Sequence, residues 1–106
     1  MSKVLIWLAS GGTDKLRPGV LWGLNAQKNG WVDEVRVVVF GPSEQALLHD
    51  DELFEQVQQI NGSMYCRFVA SNEQLVQPLE AKGANVIDVG EPIGRLIREG
   101  FEVITF

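Results

Sequence analysis

Apolar and polar positions alternate along this chain in two rhythms. Three runs, Val4 to Ala9, Val35 to Phe40 and Ala84 to Val89, are almost continuously apolar, rich in β-branched residues and followed closely by glycine or proline. Unbroken apolarity at this length predicts strands covered on both faces, as in a parallel sheet. Two weaker strand signals follow the turn Asn61-Gly62, at Ser63 to Cys66, and Gly100, at Phe101 to Phe106.

Helical spacing fills the intervals. Pro18 is suited to a first helical turn, Val20, Leu21 and Leu24 share a face, and Gly30 is a natural stop. Gly41-Pro42-Ser43 predicts a short helix, and Asp50-Asp51-Glu52 places negative charge at the start of another, with Leu53, Phe54, Val57 and Ile60 inward. Pro78 would interrupt one helix between Arg67 and Lys82, so two short pieces are expected there, the second from Pro78 to Gly83. A last helix starts near Pro92 with Ile93, Leu96 and Ile97 inward, and stops at Gly100. Strand, helix, strand in succession predicts one α/β domain over residues 1–106: a mainly parallel five-stranded sheet in three layers, with helices on both faces.

Composition changes this picture little, but charge and cysteine usage narrow the function. The chain has 106 residues, 45% of them apolar, and a net charge of −5. Nucleic acid and anionic membranes demand concentrated basic surface, and the nine basic residues are scattered, so neither is expected as a partner. A single cysteine rules out an internal disulfide, favours a reducing compartment and leaves no cysteine set for a metal. The opening Met1-Ser2-Lys3 and its apolar run have the outline of a signal peptide, yet the run is short and ends in the turn Ser10-Gly11-Gly12, which fits a buried strand in a cytoplasmic protein.

In a parallel sheet, the loops after the strands' carboxyl ends form the site edge. Those loops here hold Ser10, Gly11, Gly12 and Thr13, then Pro42 and Ser43, then Cys66 and Arg67. Cys66 is the reactive type among them. Ahead of a helix and beside Arg67, its thiolate could be stabilised as a nucleophile. Its alternative is a small buried hydrophobe. Ser10 to Thr13 could offer backbone N–H groups to an anion, but the stretch lacks the P-loop lysine and the dinucleotide glycine spacing, so a plain turn also explains it. His49, the one histidine, reads as a helix-end cation more readily than as a base. Trp22 and Trp31 suit either a subunit interface or a cover for the sheet.

Three segments together resemble the DsrE/DsrF-like family of small sulfur-relay proteins over the whole chain: Leu8-Ala9-Ser10-Gly11-Gly12, Val37-Val38-Val39-Phe40-Gly41-Pro42, and Gly90-Glu91-Pro92 with Glu99 through Phe106. The family's functional cysteine follows the third strand, where this chain has Met64-Tyr65-Cys66-Arg67. The resemblance implies a cytoplasmic homo-oligomer, trimeric or hexameric, acting as a carrier or sulfurtransferase that holds sulfane sulfur as a Cys66 persulfide. Donor and acceptor proteins are then its partners, and no cofactor is needed. A second cysteine expected three residues on is replaced by Val69, and the frequent glycine after the first by Arg67, which argues against dithiol chemistry. The competing expectation is a non-catalytic binding or regulatory module that holds a small anion or nucleotide at the Gly11-Gly12 and Pro42-Ser43 loops.

Overall fold

The computed structural model describes residues 1–106. Its elements run β1 (Lys3–Leu8), α1 (Thr13–Asn29), β2 (Glu34–Val39), α2 (Ser43–Leu48), α3 (Asp51–Gln58), β3 (Met64–Cys66), α4 (Arg67–Asn72), α5 (Val76–Ala81), β4 (Val86–Ile87), α6 (Gly90–Arg98) and β5 (Glu102–Thr105). The strands form one sheet in the order β4-β3-β2-β1-β5, and every neighbouring pair is parallel, the last strand included. The five-stranded parallel α/β domain expected above is therefore the fold.

Topology decides which helix lies on which face. Each step from β1 to β4 moves one strand further in the same direction, whereas α6 carries the chain back from one edge of the sheet to the other. Right-handed crossovers place outward and return connections on opposite faces. The core divides accordingly. Val4, Ile6 and Leu8 of β1 join residues from α1 to α5 in a large cluster, while Leu5 packs with Val38, Met64, Cys66, Val89, Ile93 and Phe101 beneath α6.

Some helix starts differ from the sequence expectation. α1 begins at Thr13, well before Pro18, which the helix accommodates internally; Leu21 faces solvent instead of the core. α5 starts at Val76. The third apolar run contributes only Val86 and Ile87 to the sheet, and Ile97 on α6 is exposed. At the carboxyl end of the sheet, Phe106 donates its N–H to Trp7 O, and its carbonyl accepts from Ala9 and Ser10. Its ring occupies the space that a Cβ on Gly19 would fill.

Candidate functional site

The carboxyl ends of the strands carry all the sequence-selected residues, but they sort into two places. The first is an open cleft of about 730 Å³ between the exits of β1 and β2. Gly11, Gly12, Thr13 and Asp14 form one wall, with Pro42, Gln45, Ala46, His49 and Asp50 opposite. The two serines support this geometry from behind. Ser10 Oγ accepts the Gly12 N–H at 3.1 Å, shaping the turn into α1. Ser43 is fully buried, donates to Leu8 O and accepts the Phe40 N–H, which ties the end of β1 to the end of β2. His49 Nδ1–H donates to Gln45 O at 2.9 Å, capping its own helix as expected.

Asp50 is a residue whose role is double. Its Oδ1 accepts the Leu53 N–H at 3.0 Å as the cap of α3, and its Oδ2 takes Arg17 Nη2 at 2.7 Å. The backbone N–H of Leu53 above all, aided by Arg17 and by the charge of Lys82, holds its carboxyl below the ordinary aspartate range.

The second place is Cys66. It ends β3 in extended conformation (φ −70°, ψ 114°), and α4 starts at the next residue. The residue is only 4% exposed, within the apolar cluster beneath α6. Partial accessibility, which a nucleophile needs, is thus absent in this conformation. Strand alternation explains why: Tyr65 goes to the large cluster, so Cys66 goes to the opposite, smaller one, with Trp7, Phe40, Val69 and Ile87 packed around it. Arg67 is committed elsewhere. Its Nη2 donates to Val86 O at 2.8 Å and meets Glu80 at 3.3 Å, fastening the start of α4 to β4 and α5.

Sequence reasoning passed over Glu44. This residue of α2 is fully buried, and neither carboxylate oxygen has a hydrogen-bond partner. Burial pushes its carboxyl up to about 7, only partly opposed by the nearby Gly41 backbone. The Tyr65 hydroxyl, also buried and unpartnered, is raised far above the usual phenol range by burial and then by the charges of Glu44 and Glu55. A short segment with one glutamate carries no sequence signal for such burial.

Fold and cleft together define a small parallel α/β domain with an open cleft at the carboxyl ends of β1 and β2. No family model and no curated protein matches the chain. Among solved structures it is similar to a conserved protein of unknown function from Bacteroides thetaiotaomicron, with a TM-score of 0.85 and 16% identity over 99% of this chain and 95% of that one. At that identity the likeness establishes the shared fold. No helix is long and apolar enough to cross a membrane.

Proposed function

We propose that the protein is a sulfur carrier that holds sulfane sulfur on Cys66, in line with its resemblance to DsrE/DsrF-like proteins. The observation that carries this reading is the place of Cys66 in the sheet: it ends β3, and α4 starts at the next residue. In open parallel sheets ligands bind outside the strands' carboxyl ends. Cys66, opposite Ile87 in the β3–β4 register, stands at that end.

The transfer needs no cofactor. The Cys66 thiolate attacks the outer sulfur of a donor persulfide, R–S–SH; a new S–S bond forms at Cys66, the donor's S–S bond breaks, and the donor leaves as R–S⁻. An acceptor thiolate reverses the exchange. With the thiol enclosed, α6, which covers its cluster, and the start of α4, whose Val69 packs against that cluster, have to loosen transiently for either step, a local opening of the kind short peripheral helices undergo. The apolar surround would then shield the persulfide from bulk thiols. The reading includes self-association as the resemblance implies. Incubation with polysulfide followed by intact-mass measurement is expected to add one sulfur to the native protein and none to Cys66→Ser. Native protein that stays unmodified, or is modified only in denaturant, would overturn the carrier reading.

The cleft between β1 and β2 favours a second reading, a binding module. Its walls carry Asp14, Asp50 and His49 but no lysine or arginine, so a small amine suits it better than an anion or nucleotide. Titration with putrescine is expected to move the amide signals of Gly11, Gly12 and Thr13. Movement with AMP alone would reject this assignment of ligand charge.

A further inference from the structure

α2 presents two unlike sides. Gln45, Ala46 and His49 line the cleft, whereas Glu44 and Leu47 are fully buried. A carboxylate with no partner is among the costliest groups to enclose, and the fold makes it tolerable by keeping it neutral. The neighbouring Tyr65 hydroxyl gives no relief, since the two groups are not hydrogen-bonded to each other.

Nor does a cation compensate. The charged groups on the elements packed around α2 are Asp14, Lys15, Arg17 and Lys28 of α1, Asp50 just before α3, Asp51, Glu52 and Glu55 on α3, Glu80 on α5 and Lys82 just after it; of these, only Arg17 and Lys82 are cations with a partner near α2. Arg17 is engaged by Asp50 and Glu52, and Lys82 by Asp51 at 2.8 Å and Leu48 O at 3.1 Å. Glu55 adds negative charge towards Tyr65. On α2's own side, the Gly41 backbone is the one polar neighbour that favours the charged form.

We propose that Glu44 is a proton-operated latch on α2: the neutral carboxyl keeps the helix docked beside Tyr65, and loss of its proton loosens the helix together with the Gln45 to His49 wall of the cleft. The device stands independently of both functional readings, because it rests on the packing of α2 and not on Cys66 or on any ligand.

Carboxyl-carbon NMR of Glu44, paired with amide exchange of Gln45 to Leu48, tests it from about pH 5.5 to about 8.5, the interval in which a carboxyl so strongly raised titrates. The expected result is a Glu44 midpoint inside that interval. Across it, protection of the α2 amides should fall by about tenfold or more after correction for intrinsic exchange, and Glu44→Gln should abolish the fall. Histidine changes charge in the same interval, so His49→Asn serves as control and should keep the response. A Glu44 midpoint below the interval, or a response that persists in Glu44→Gln or vanishes in His49→Asn, would overturn the latch. Should Glu44→Gln fail to fold, Tyr65→Phe replaces it: the latch requires the pH response to survive loss of that hydroxyl, and its disappearance would count against Glu44.

Discussion

The residue scale is where two carboxyl groups pull the stability of this protein in opposite directions. Glu44 has its carboxyl raised, so its favourable contribution is complete below the ordinary value of 4.5 and is lost as pH rises to about 7. At about 1.4 kcal/mol per pH unit, that interval sets an upper bound of about 3.5 kcal/mol on the loss. Urea midpoints measured at about pH 5 and about pH 8 should therefore show wild type losing more stability than Glu44→Gln. Asp50 is lowered, so its contribution is present above the ordinary value of 3.8 and disappears at more acid pH. Asp50→Ala removes the α3 cap and is expected to cost about 1 kcal/mol at neutral pH in the same assay, the half-exposed Arg17 adding little. Neither role could be read from sequence alone to the same degree. Asp50 was legible as acidic charge at a helix start, because capping is local. Glu44 was not, because its burial depends on α1 and α3 packing against α2 and on Tyr65 of β3 lying near it.

Elements explain the mixed fate of the sequence reading. β1 and β2 lie close to where their apolar runs put them, since unbroken β-branched runs suit strands buried on both faces. Helix starts were less legible: α1 extends beyond Pro18 because its buried residues Leu16, Gly19, Val20 and Gly23 anchor both sides of the proline. Leu21 and Ile97 have helical spacing but fall on the rims of their stripes. Cys66 was placed correctly at the end of a strand followed at once by a helix, whereas its enclosure comes from a cluster with Leu5, Val38, Val89, Ile93 and Phe101, distant in sequence. The geometry also reassigns Arg67 from the thiol to the anchoring of α4. Arg67→Ala is accordingly expected to speed alkylation of Cys66 by iodoacetamide several-fold at fixed pH, because the opening that exposes the thiol becomes easier. Slower alkylation would instead mean that the guanidinium stabilises the thiolate directly.

At the scale of the whole molecule, uncovered apolar surface includes the β5 edge of the sheet and, apart from it, Trp31 and Phe68. β5 pairs only with β1, and its Val103 and Ile104, on opposite faces, are 41% and 38% exposed. Trp31, 57% exposed, stacks obliquely on Trp22 with ring centroids 6.5 Å apart. Phe68, 71% exposed, extends from α4. Edge strands of this kind invite further pairing or burial. The self-association proposed above is expected to use this edge, so light scattering should give an oligomer for wild type and a smaller species for Val103→Lys with Ile104→Lys. A wild-type monomer at all concentrations would reject the association, and an unchanged oligomer in the double variant would place the contact elsewhere. The sheet order has a different consequence for synthesis. Of the five strands β1 leaves the ribosome before the rest, yet one of its two neighbours is the one made last. Until residues 102–105 emerge, the flank of Val4 to Trp7 that β5 will occupy stays open to pairing with another chain.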